Sequence, residues 1–230
     1  MPSRYDVFYN GGIYHIFNKT IDKKQIFSDE ICQEFINTFC YYRSELSSKL
    51  RYSFLKQLPQ DIYKSRWGEV FLHKYFMVDI ISFCLLPNHY HFLIRQLKGR
   101  GVIKFMSNIS NSLTRYYNIK DERKGPIFLP QFKSKRILSQ EHLIYISRYI
   151  HTNSYAHRVV KNLEDIFKYP YSSVKSYMSS SNDLKINTDK VMFSFGNNAQ
   201  KYKEFILKNA EDQKMNERVG KVFKKLVEVV

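Results

Sequence analysis

Residues 76–97 read FMVDIISFCLLPNHYHFLIRQL. Phe76 to Leu86 and His89 to Leu97 are two apolar runs rich in β-branched and aromatic residues. Pro87-Asn88 between them is a turn signal, because proline presets one turn dihedral and asparagine tolerates unusual ones. This is the most apolar region of the chain, so it predicts a hairpin at the centre of a sheet. A polar pair interrupts it. In a strand, residues i and i+2 point to one face, so His89 and His91 present two imidazoles side by side while Tyr90 and Phe92 face a core.

Working outward, Gly11-Gly12 punctuates the chain before a strand over Ile13 to Asn18. Ser28 reads as an N-cap with Asp29 and Glu30 in the first turn. Ile31, Phe35, Phe39 and Tyr42 then recur at helical spacing, predicting a helix to about Ser47. Within residues 50–70 a short helix is expected around Pro59 to Tyr63. Downstream of the hairpin a helix is expected over Val102 to Asn118, then a polar loop over Lys120 to Gly125 and a strand over Phe132 to Leu138. Ser139 caps a third helix, with Glu141 in its first turn, running to about Thr152. This order of elements predicts an α+β fold, helices packed on a mainly antiparallel sheet. Ser179 to Asp183 is a linker by composition. It separates a main domain, 1–178, from a small helical C-terminal extension, 179–230, with helices such as Gln200 to Asn209 and Arg218 to Val229.

The chain has 230 residues, is 43% hydrophobic and 16% aromatic, and so can bury a sizeable core. Cys32, Cys40 and Cys84 lack paired spacing and read as small buried hydrophobes in a reducing compartment. Met1 to Asn10 has no apolar run of a secretory signal, and no stretch reaches the apolar length of a membrane span. A cytoplasmic protein with no membrane partner is the expectation. The formal net charge is +16, which calls for an anionic partner, nucleic acid first. Lys98 to Arg136 carries ten basic residues against Asp121 and Glu122. Phe105, Tyr116, Tyr117, Phe128 and Phe132 interleave with them and can stack on unpaired bases. Lys104, Arg115, Lys133, Lys135 and Arg136 are the candidate DNA contacts, with single-stranded or hairpin DNA the expected partner.

Two groups of residues can carry chemistry. His89 and His91 can ligate a divalent metal, and burying two imidazoles without a partner is costly. The alternative is a pair of structural histidines. Tyr145, Tyr149 and Asn153 lie at i, i+4 and i+8 on one helical face. They are either a packing stripe or a phenol nucleophile with an amide oxygen as a metal ligand; spacing does not choose between the tyrosines.

In these segments the chain resembles the IS200/IS605-type tyrosine transposases with a His-hydrophobic-His motif, and especially their REP-associated relatives. Gly11-Gly12-Ile13-Tyr14-His15-Ile16 is similar to the family's opening strand. Leu86-Pro87-Asn88-His89-Tyr90-His91-Phe92-Leu93 matches its metal motif. Gly125-Pro126-Ile127-Phe128 with Phe132-Lys133-Ser134 is similar to its basic segment. Tyr149-Ile150-His151-Thr152-Asn153 resembles its catalytic helix, and Tyr169-Pro170-Tyr171-Ser172-Ser173 the segment that follows. The resemblance spans roughly residues 8–177 in unbroken order.

The resemblance implies a ferredoxin-like nuclease fold, Tyr149 as nucleophile, and a divalent metal, Mg²⁺ or Mn²⁺, on His89, His91 and Asn153. It implies a DNA-associated bacterial protein that cuts and rejoins single strands through a 5′-phosphotyrosine. The tail beyond residue 178 favours a monomer over the family's helix-exchanging dimers. The family commonly has Asn-Pro where this chain has Asn153-Ser154, which leaves the helix end less rigidly defined. A binding protein of the same fold without cleavage, or a hydrolytic nuclease in which Tyr149 only packs, are the other readings.

Overall fold

A computed structural model describes residues 7–179, 181–208 and 210. β1 (Ile13–Lys19) leads to α1 (Asp29–Tyr42), and the short α2 (Tyr52–Leu55) and α3 (Gln60–Val70) follow. β2 (Val78–Leu86) and β3 (His89–Gln96) form the hairpin, followed by α4 (Gly101–Lys120), β4 (Lys133–Ile137) and α5 (Gln140–Ala156). α6 (Val174–Met178), α7 (Asp189–Met192) and α8 (Ala199–Lys208) complete the described elements. The four strands lie in the order β2-β3-β1-β4 with every neighbour antiparallel. The main elements therefore run β-α-β-β-α-β, the split arrangement of a ferredoxin-like sheet.

The hairpin is the middle of the molecule, as its composition requires. All nine residues of β2 are buried. Alternation along the strands gives the sheet two different faces. Tyr90 and Phe92 of β3 meet Phe35 and Phe39 of α1, with ring centroids 5.2 and 5.3 Å apart, and Phe92 meets Phe105 of α4 at 5.9 Å. This aromatic layer holds α1 and α4 on one face. The opposite face carries His15, Phe17, His89 and His91, and α5 packs across it.

Local signals account for the helix starts. Ser28 Oγ accepts from the Ile31 amide, and Ser139 Oγ from the His142 amide at 3.2 Å, so both predicted caps are in place. α4 starts without a side-chain cap, where the backbone comes close to β2. A Cβ at Gly101 would stand 2.5 Å from the Met77 carbonyl oxygen, so only glycine fits. α3 is longer than the short helix expected around Pro59 to Tyr63. Tyr63, Trp67 and Phe71 stack along one side of it, with centroids 5.8 and 5.4 Å apart, and this aromatic row replaces a conventional apolar stripe.

The chain after residue 178 shares the same core. Tyr202 and Ile206 of α8 are fully buried. Arg43 is also fully buried, between the rings of Phe71 and Phe76, and its Nη1 donates to the Leu184 carbonyl oxygen at 2.8 Å. The expected helix Arg218 to Val229 lies outside the described residues. At the β2 edge the Leu85 amide donates to the Tyr171 oxygen at 2.9 Å and the Ser173 amide to the Phe83 oxygen at 3.0 Å. Residues 171–173 thereby cover an edge that would otherwise be open to another chain. Among the described residues no helix is long and apolar enough to cross a membrane.

Candidate functional site

Strand register assembles the site. Phe17 is paired with His91, and Lys19 with His89, so these four side chains share a face. His15 precedes Phe17 on that face by one alternation. Its ring lies nearly parallel to that of His91, 19° between planes and 5.2 Å between centroids, with Nε2 3.0 Å from His91 Nδ1. The rings of His89 and His91 are 5.2 Å apart.

α5 closes over this face. The Tyr149 ring stands edge-on to His15 at 5.8 Å and to His91 at 5.7 Å. Tyr145, one turn earlier, is 52% exposed and its ring stacks with the Arg148 guanidinium. Tertiary packing thus separates two tyrosines that helical spacing treats alike. Asn153, one turn after Tyr149, is fully buried, deeper than His89 at 6% or His91 at 5% exposure. His157 caps the end of α5 and sets its ring 4.7 Å from that of His89.

Burial dominates the electrostatics. It pushes the His15 imidazole down to about 4, with His142 and Lys135 adding repulsion. It pulls His91 well below the ordinary histidine range, helped by His15, His89, His157 and Lys19. Both are neutral at neutral pH, the state in which imidazole offers a lone pair. His89 and His91, with the Asn153 amide on α5 as a third candidate, are the residues that could hold a cation in an open, mixed nitrogen and oxygen site. Among the described residues no three His, Cys, Asp or Glu side chains are grouped to hold a metal by themselves, so a closed structural site is not formed there.

The five candidate DNA contacts fall on different surfaces. Lys133 is paired with Phe17 and Lys135 with His15, so both stand on the histidine face. Arg136 pairs with Tyr14 on the reverse face, where its guanidinium covers the Tyr9 ring at 5.1 Å. Lys104 and Arg115 line a cleft between α4 and the α2 region, also behind the sheet. The single basic stretch of the sequence is thus divided by the fold.

Three site residues were not singled out by sequence reasoning: His15, Asn88 and His157. His15 and His91 are 76 residues apart, and only β1–β3 pairing joins them. The one available signal was alternation, which puts His15 on the face opposite Tyr14 and Ile16. Asn88 read as a turn residue, and His157 lay beyond the expected helix.

No family model matches the chain, and no curated protein matches it. One similar solved structure is described as a REP-associated tyrosine transposase bound to a REP hairpin. The two are 14% identical, over 76% of this chain and 84% of that one, with a TM-score of 0.48. Likeness at this level does not establish a shared family or activity.

Proposed function

We propose that this protein is a metal-dependent single-strand DNA endonuclease and strand transferase that uses Tyr149 as its nucleophile. One observation carries the reading: a tyrosine on α5 meets the histidine pair on β3, edge-on to His91 at 5.7 Å, on the face of the sheet that also bears Lys133 and Lys135. A nucleophile, a cation-binding pair and phosphate-binding charge are the parts that transesterification at a phosphodiester needs.

In this reading the Tyr149 oxygen attacks the scissile phosphorus and loses its proton, while the bond to the 3′ oxygen breaks. The products are a 5′-phosphotyrosine and a strand ending in 3′-OH, the departing oxygen having taken up a proton. Attack by another 3′-OH on the phosphotyrosine reverses the exchange, rejoins DNA and frees Tyr149 without an external energy source. Lys133 and Lys135 hold the backbone, and Phe17 and the exposed Tyr145 offer ring faces to unpaired bases. His89, His91 and Asn153 would hold Mg²⁺ or Mn²⁺, which when bound supplies Lewis-acid polarisation of the phosphate.

The test is incubation with labelled single-stranded hairpin oligonucleotides and Mn²⁺, followed by a denaturing gel. A covalent protein–DNA adduct that is lost in His89→Ala and His91→Ala, with DNA binding kept, is expected. Cleaved DNA without an adduct would mean water is the nucleophile. Binding without cleavage would mean the fold serves only to hold DNA.

A further inference from the structure

Both Nδ1 atoms of the histidine pair have a partner. His89 Nδ1 lies 2.7 Å from Asn88 Oδ1, and His91 Nδ1 lies 3.0 Å from His15 Nε2. We infer that Asn88 and His15 are positioning residues that hold His89 and His91 as Nδ1–H tautomers, so that both imidazoles offer Nε2 lone pairs to one cation. This rests on the metal reading of the pair given above.

The orientation of Asn88 is set by other contacts. Its Nδ2 donates to the Lys23 carbonyl oxygen at 3.1 Å, so the amide oxygen is the end turned to His89. Its own carbonyl oxygen accepts from the Thr20 amide at 2.9 Å and from Thr20 Oγ1 at 3.0 Å, which pins the turn to the end of β1. A carboxamide oxygen can only accept. His89 must therefore carry its proton on Nδ1 and its lone pair on Nε2.

His15 does the same for His91 with an imidazole acceptor. The ring planes are within 19° of parallel, and with centroids 5.2 Å apart the 3.0 Å nitrogen contact runs from one ring edge to the other, as an N–H···N bond requires. When His91 Nδ1 donates to His15 Nε2, the His91 lone pair is on Nε2, and the His15 proton is on its own Nδ1. The reverse arrangement would place a proton on His91 Nε2 and block ligation there. A neutral histidine in water prefers that blocking tautomer, so a ligating pair needs partners that select against it. Residues of this kind orient ligands and keep the loss of freedom on metal binding small. Their removal typically weakens affinity about 10–100-fold.

The experiment uses the full chain, free of metal, with ¹⁵N-labelled histidine, and reads each tautomer from two-bond ¹H–¹⁵N correlations. Nδ1–H signals are expected for both His89 and His91. His15→Leu should move His91 toward the Nε2–H form and weaken Mn²⁺ binding, measured by calorimetry, about 10–100-fold. His15→Gln sets an amide oxygen where Nε2 stood and should restore most of both. Asn88→Ala should act on His89 as His15→Leu acts on His91, while Asn88→Asp, which keeps an oxygen acceptor, should retain the Nδ1–H form. An Nε2–H signal for His91 in the unaltered protein would overturn the inference without any variant having to fold. Unchanged Mn²⁺ affinity in His15→Leu would overturn it as well. Nδ1–H signals on both residues, with no Mn²⁺ binding at all, would uphold the positioning and remove the metal reading instead.

Discussion

Lys135 stands directly across the β1–β4 ladder from His15. Cross-strand partners share a face, so the basic strand and the buried histidine pair look onto the same side of the sheet, under α5. Lys104, Arg115 and Arg136, equally basic in sequence, are on the other side.

That division predicts which charges a short single strand feels. Replacing Lys133 and Lys135 with Gln should lower the log–log salt slope of binding by about 0.7 for each phosphate no longer neutralised. The Arg136→Gln change, and the pair Lys104→Gln with Arg115→Gln, should leave the slope for an oligonucleotide confined to the histidine face unchanged. Fluorescence anisotropy over a salt series measures it. A slope that responds to Arg136 and not to Lys135 would place the DNA on the reverse face.

The two tyrosines of α5 separate in the same way. Tyr149→Phe should abolish the covalent adduct while leaving folding and binding intact, because only a hydroxyl is removed. Tyr145→Phe should retain the adduct, since the residue is 52% exposed and its ring stacks with Arg148, one turn before the Tyr149 that meets the histidines. Peptide mass spectrometry of the adduct decides the matter. A modified peptide carrying Tyr145 or Tyr155 would refute the assignment.

Stability should depend on pH through His151. Burial lowers its imidazole from 6.5 to about 3, where it lies 2.9 Å from Tyr202 Oη and 2.8 Å from Ser173 Oγ. The unfolded chain binds this proton more readily than the folded one. The stabilisation is therefore complete above the unfolded value, falls as pH drops below 6.5, and goes on falling to about 3. At about pH 5 this one group removes about 2 kcal/mol. His15, lowered to about 4, acts in the same direction. Urea midpoints at about pH 7.5 and about pH 5 should differ accordingly, and less so in His151→Gln. Equal midpoints for the unaltered protein would show that His151 is not buried as described.

Tyr202 ties α8 to the helix that carries Tyr149. Its Oη lies 2.5 Å from Ser147 Oγ and 2.9 Å from His151 Nδ1, all buried. Tyr202→Phe keeps the ring and removes the partner of His151 Nδ1, while Ser147 Oγ keeps Ser82 Oγ at 3.1 Å, at a cost of about 1–3 kcal/mol. A thermal-melt shift would register the destabilisation. No shift would mean the C-terminal helices are dispensable to the main fold.

Much of the architecture was legible because it rests on short-range rules. The apolar runs of residues 76–97 on either side of Pro87-Asn88 reported a buried hairpin, Ser28 and Ser139 marked helix starts, and helical spacing located α1 and the face of α5 that carries Tyr149. These patterns are local, since a cap or an apolar stripe is set within a few residues. The pairing of His89 with His91 was equally local, because a strand alternates wherever it lies. What only the tertiary structure decided is long-range. The β1–β3 register brought His15 to His91, the packing of α5 chose Tyr149 over Tyr145 as the histidines' neighbour, and sheet sidedness split one basic segment into two surfaces. Each depends on which face meets which layer, and that is settled by burying the aromatic side of the sheet against α1 and α4, a property of the whole core and of no single segment.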